Sequence, residues 1–203
     1  MNRRQLLQTV TLGRLRVSVP DRPGTLFLTF DDGPSPQHTE RLLTLLGRFS
    51  AKATFFLVGQ NADSHRSVAK AIVAGGHSLG NHSFSHPRFR SIHRDSRKME
   101  IDLTESILSS IDGRTNHPFR PPRGELAPDM IWACLSGRSR ITLWTHDSLD
   151  YCASAEEVVK RCRGLPLAGG EILLFHDDGP CASEALLELL PYWQSRNFSF
   201  AAL

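Results

Sequence analysis

The chain contains no Cys-x-x-Cys pair. Its four cysteines, Cys134, Cys152, Cys162 and Cys181, lack the spacing of a structural zinc site. A chain of 203 residues also needs no disulfide staples, so the thiols are expected to be reduced, as in a cytosolic protein. No stretch approaches the ~20 apolar residues that would span a membrane. Excess charge of either sign is small: the net charge is +3, too little for a nucleic-acid footprint. The opening Met1-Asn2-Arg3-Arg4-Gln5-Leu6-Leu7 has a twin-arginine look. Arg14 and Arg16 break the apolar run that should follow, and no small-residue cleavage site is present, so no signal peptide is expected and the localisation expected is cytoplasmic. Linkers, low-complexity tracts and repeats at a solenoid period are missing as well.

What is present is an ordinary globular balance, 40% hydrophobic and 22% charged residues, enough for one core. Residues 1–24 read as a basic lead-in with a short strand over Leu15–Val19, and 25–203 as one catalytic domain. Strand signals lie at Thr25–Phe30, Ala53–Val58, His77–Gly80, Ile141–Thr145, Glu171–Phe175 and Phe198–Ala201. Helical patterns fall between them. Ser35 with Pro36 opens a helix whose apolar face is Leu42, Leu43, Leu45, Leu46 and Phe49. Others cover Ser64–Ala74, Asp95–Ile111 with Met99, Leu103, Ile107 and Leu108 inward, a segment from a Ser154/Glu157 capping box through Cys162, and Ser183–Gln194. Strands alternating with helices predict βα units and a mostly parallel sheet.

In such folds the chemistry sits on the loops after the strands. The first of these loops carries Asp31-Asp32-Gly33-Pro34. Adjacent carboxylates repel unless a cation or a proton lies between them, although Asp and Gly also suit an ordinary turn. Asp31-Asp32-Gly33-Pro34 recurs as Asp177-Asp178-Gly179-Pro180, which shared turn chemistry explains better than duplication. His82 and His86 are four apart, so on a helical turn both rings would reach one ion; a chance pair among nine histidines is the alternative. Two His and one carboxylate leave open positions on Zn²⁺ or a similar ion. Arg120-Pro121-Pro122-Arg123-Gly124 is a stiff loop. It reads as a rigid connection, or as Arg120 pairing with a carboxylate while backbone N–H groups near Arg123 face an oxyanion. Asp147, Asp150 and Tyr151 follow another strand. His176 ends the next one, where a neighbouring carboxylate would raise its pKa and suit it to general-acid work.

The order of these motifs resembles the polysaccharide deacetylases of carbohydrate esterase family 4, the NodB homology domain. Thr29-Phe30-Asp31-Asp32-Gly33, His82-Ser83-Phe84-Ser85-His86, Arg120-Pro121-Pro122-Arg123-Gly124, Asp147-Ser148-Leu149-Asp150-Tyr151 and Leu174-Phe175-His176 stand in the family's order. The resemblance implies a distorted (β/α) barrel of about seven parallel strands. It implies hydrolysis of N-acetyl groups on amino sugars of an oligo- or polysaccharide, with a divalent ion, Zn²⁺ first and Co²⁺ or Ni²⁺ as alternatives. Carried over, Asp31 is the base, and Asp32, His82 and His86 hold the metal. Arg120 tethers Asp31, and the Arg123 N–H helps form the oxyanion hole. Asp150 orients His176, the acid, and Tyr151 and Leu174 wall the acetyl pocket. Two positions depart from the family's wording. Arg123 stands where many members have Tyr, adding a positive charge that would suit an acidic glycan, and Tyr151 stands where many have Trp. Glycan O-deacetylation and non-catalytic glycan binding are the competing expectations; the partner in each case is a carbohydrate.

Overall fold

The computed structural model describes residues 3–136 and 140–203. In chain order the elements are α1 (Arg3–Val10), β1 (Leu15–Arg16), β2 (Thr25–Asp31), α2 (Pro36–Arg48), β3 (Ala53–Leu57), α3 (Gly59–Ser64), α4 (Arg66–Ala74), β4 (Ser78–Asn81), α5 (Arg94–Asp112), α6 (Pro128–Leu135), β5 (Ile141–Thr142), β6 (His146–Asp147), α7 (Ala155–Arg163), β7 (Ile172–His176), α8 (Cys181–Ser195) and β8 (Ser199–Phe200).

The main sheet runs β4-β3-β2-β7-β6, with β8 added to the start of β2, and every ladder is parallel. Its centre is β2, whose six residues from Leu26 to Asp31 are all buried. A central parallel strand is covered on both faces, which is why Leu26-Phe27-Leu28 reads as a continuous apolar run rather than an alternation. Phe30 stacks on Phe55 of β3 at 4.9 Å and meets Phe175 of β7 at 6.0 Å. Each such ring contributes roughly 1.5–3 kcal/mol of burial, so this contact sets the register of three strands. Helices α2, α4, α7 and α8 cover the sheet with Leu42, Leu46, Ile72, Val158, Leu186, Leu190 and Trp193.

A second, smaller sheet pairs β1 with β5 over a separate core that includes Leu15, Val17, Phe89, Phe119 and Met130. Single bridges from Asn81 to Phe119 and from Phe119 to Ile141 link the two sheets. The parallel α/β architecture is therefore as expected, but among the described residues the named strands form two sheets joined by single bridges rather than one continuous barrel ladder. Within the lead-in, β1 is hydrogen-bonded to β5, and α1 precedes it.

Three expectations need correction. The strand expected over Ile141–Thr145 covers only Ile141–Thr142, which pair with β1; the strand that pairs with β7 begins beyond it, at His146. The helix over Ser64–Ala74 begins with Arg66, since His65 (φ −124°, ψ 48°) separates it from α3. Helix α5 turns Thr104 and Leu108 inward and leaves Met99 and Leu103 exposed. The inward stripe includes Glu100, whose carboxylate binds a loop of the site, so apolar residues alone misplace the face.

Candidate active site

The C-terminal ends of β2, β4, β6 and β7 face one region, together with the loop through Arg120. Register explains this: Asp31 pairs with Phe56 on one side and His176 on the other, and Leu57 pairs with Asn81. Asp31 is buried and accepts from Arg120 Nη1 at 2.6 Å. Arg120 is wholly buried. It donates further to Thr29 Oγ1 (2.9 Å), the Thr142 carbonyl (3.2 Å) and the Leu143 carbonyl (2.9 Å). Its guanidinium lies 4.0 Å over the Phe56 ring. Such saturation is what makes a buried charge tolerable.

Asp32 Oδ1 lies 3.4 Å from His82 Nε2 and 3.3 Å from His86 Nε2. These separations exceed an ordinary hydrogen bond, and Oδ1 is buried without a partner. Three ligands on a tetrahedral ion at about 2.0–2.2 Å would stand roughly 3.3–3.6 Å apart, so the donor set fits a Zn²⁺-like cation. His82 Nδ1 lies 2.8 Å from the Arg120 carbonyl, which can only accept, so the proton is on Nδ1 and the Nε2 lone pair faces Asp32. Burial alone would raise the Asp32 pKa. In the metal-free protein, whose imidazoles can take up a second proton, the contact and charge of His82 and the charges of His86 and His176 override it and bring it to about 2. Burial, then the His82 charge, lowers the His86 pKa, which keeps its lone pair available.

The histidines do not share a helical turn. Residues 82–86 form a loop in which Ser83 (φ 67°) and His86 (φ 55°) are left-handed. Glu100 holds that loop, accepting from the Phe84 N–H (2.8 Å), the Ser85 N–H (2.7 Å) and Ser85 Oγ (2.8 Å). Asn81 Oδ1 accepts from the Ser83 N–H at 3.0 Å.

Across the site, Asp150 receives the His176 backbone N–H and Nδ1, both at 2.8 Å, and the Ser148 hydroxyl at 2.8 Å. Burial lowers the His176 pKa, but the Asp150 hydrogen bond and the Asp31, Asp150 and Asp32 charges outweigh it and lift it to about 9. Its Nδ1 proton is committed to Asp150, leaving Nε2 for the cleft. Tyr151 stands edge-on to His176 at 5.2 Å and is largely exposed, while Leu174 is buried two residues before His176. Arg123 is exposed at φ 58°, and its charge reaches His86.

The structure thus gathers Asp31, Asp32, His82, His86, Arg120, Asp150 and His176. Reasoning from sequence missed Glu100, Ser148, Asn61, whose side chain donates to the Asp32 carbonyl at 2.8 Å, and Asp177. Burial pushes Asp177 up to about 7, against the lowering effect of the Thr39 hydroxyl and the Gly33 N–H. Only Asp177 carried a signal, the repeated Asp-Asp-Gly-Pro.

The pattern of the family described as polysaccharide deacetylase matches residues 18–136. The chain belongs to the polysaccharide deacetylase family. It is 31% identical over 190 residues to a peptidoglycan-N-acetylglucosamine deacetylase of Bacillus cereus, covering 92% of this chain and 69% of that protein. It is 28% identical to a chitooligosaccharide deacetylase of Azorhizobium caulinodans, covering 84% of this chain and 82% of the relative. A peptidoglycan N-acetylglucosamine deacetylase crystallised with 4-naphthalen-1-yl-N-oxidanyl-benzamide superposes with a TM-score of 0.86 at 31% identity, covering 92% of this chain and 89% of that one. Fold and family agree with the motif order, and this polysaccharide deacetylase carries its ionisable groups at the strand ends.

Proposed function

We propose that this deacetylase removes acetyl groups from N-acetylglucosamine residues of a glycan, releasing acetate and a free amine, with a divalent ion held by Asp32, His82 and His86. The observation that carries the reading is that Asp31, fixed by Arg120, and His176, fixed by Asp150, are register partners at the strand ends beside that donor set. When bound, the ion would act as a Lewis acid and ease deprotonation of water.

Asp31 takes the proton from the attacking water as that water adds to the acetamide carbon. Arg120 holds this carboxylate in place through the Nη1 hydrogen bond to Oδ1. The Arg123 backbone, turned at φ 58°, offers an N–H to the tetrahedral oxyanion. His176, protonated below about pH 9, gives its Nε2 proton to the departing amine, which leaves poorly as an anion. Tyr151 and Leu174 flank the acetyl group. Support for a glucosamine-type substrate comes from the names of the two relatives; the choice between a peptidoglycan strand and a chitin-like oligomer belongs to the same proposal.

The experiment is acetate release from N-acetylglucosamine oligomers by protein stripped of metal and resupplied with Zn²⁺ or Co²⁺. Metal-dependent acetate is expected. Full turnover by the stripped protein, or by Asp31→Asn, would overturn the assignment.

A further inference from the structure

The second Asp-Asp-Gly-Pro turn has no role in the chemistry above, yet it lies against the first. Asp31 and His176 are register partners on β2 and β7, so Asp177 emerges beside the turn that carries Asp31 and Asp32. Its backbone N–H donates to the Asp31 carbonyl at 3.2 Å. Its side chain is fully buried. Oδ2 accepts from Thr39 Oγ1 at 2.5 Å, and Thr39 Oγ1 in turn accepts from the Ser35 N–H at 2.8 Å. Oδ1 is buried and makes no hydrogen bond of full geometry. A Cβ added at Gly33 would fall on this carboxylate, so the turn and the side chain are fitted to each other without a gap.

The turn needs such support. Asp32 sits at φ 76°, a conformation unfavourable for a residue with a side chain, which persists only where the surroundings over-determine it. Asn61 grips the Asp32 carbonyl, and the Val58 N–H grips the Gly33 carbonyl at 3.0 Å. Both act on the backbone from the β3 side. Asp177 and Thr39 close the opposite side.

We propose that Asp177 is a positioning residue: through Gly33 and the Thr39 hydroxyl it braces the Asp31–Ser35 turn, and so fixes the direction in which Asp31 and Asp32 are presented. A polar brace does this where an apolar side chain could not, because the contact must hold the Ser35 N–H by way of Thr39 and fit beneath a glycine. The kinetic consequence rests on the deacetylase reading; the structural one does not.

The test compares Asp177→Asn, Thr39→Val and Thr39→Ser with the wild-type chain. The first readout is amide exchange across residues 32–35 in metal-free protein. The others are Co²⁺ affinity and visible spectrum by chelator competition, and kcat and KM for N-acetylglucosamine oligomers. Asp177→Asn and Thr39→Val should speed exchange at Ser35 about tenfold or more. They should weaken Co²⁺ binding by about 10–100-fold, the usual effect of losing an outer-sphere support, and lower kcat with little change in KM. Thr39→Ser keeps the hydroxyl and should restore wild-type values. Wild-type exchange, spectrum and affinity in both Asp177→Asn and Thr39→Val would overturn the proposal. If Asp177→Asn does not fold, the Thr39 pair decides alone: equal behaviour of the Val and Ser variants overturns it. A wild-type chain that releases no acetate sinks the deacetylase reading, while the exchange measurement still judges Asp177.

Discussion

Arg120 and His82 are joined by the Arg120 carbonyl and His82 Nδ1 at 2.8 Å, while the Arg120 side chain holds Asp31 at 2.6 Å. One residue therefore sets the tautomer of a candidate metal ligand with its backbone and the orientation of the candidate base with its guanidinium. Arg120→Ala leaves Asp31 buried beside no cation and is expected to cost about 3–5 kcal/mol of stability. Arg120→Lys keeps the charge but cannot reach Thr29, Thr142 and Leu143 together. Both variants should lose most acetate release; denaturant melts and turnover measured side by side check this.

The His176–Asp150 pair predicts a pH dependence. The folded pKa of His176 is raised from 6.5 to about 9, so its contribution to stability is fully present below pH 6.5 and fades as pH rises through about 9. Activity that needs the protonated acid should fall over the same alkaline range. Asp150→Asn removes the charge and one of the two acceptor oxygens that serve His176, and should move the alkaline limb of kcat/KM down by a unit or more. A limb left in place would refute the acid assignment.

Glu100 predicts an effect on metal binding without touching the donors. Its carboxylate accepts two backbone N–H groups and a hydroxyl from the loop between the histidines. Glu100→Gln should weaken Zn²⁺ or Co²⁺ binding by about 10–100-fold while leaving the fold intact. Chelator competition reads this directly, and far-ultraviolet circular dichroism reports the fold.

Away from the site, Ser154 and Glu157 form a complete capping box at the start of α7. Ser154→Ala strands the Glu157 N–H in the first turn of the helix. It should lower Tm on the order of 2–4 °C with no change in acetate release per folded molecule.

Much of this was legible in the amino-acid sequence. The apolar run before Asp31, the Ser154/Glu157 pair and the Gly113 stop (φ 74°) reflect local propensity, which acts over a few residues and survives into the fold. The five motifs were legible too, because each strand end is marked by its own polar residues. Tertiary structure alone decided the rest. The loop over 82–86 brings its histidines together through left-handed Ser83 and His86 and the remote Glu100, not through helical spacing. Helix α5 buries Thr104 and turns the half-buried Glu100 toward the 82–86 loop, leaving Met99 and Leu103 exposed, because the loop's N–H groups need an acceptor. The pairing of Ile141–Thr142 with β1 and the buried Asp177 likewise depend on partners more than a hundred residues distant. Periodicity within one segment carries no information about such partners, since what selects the buried face is the unpaired polar group waiting on another element.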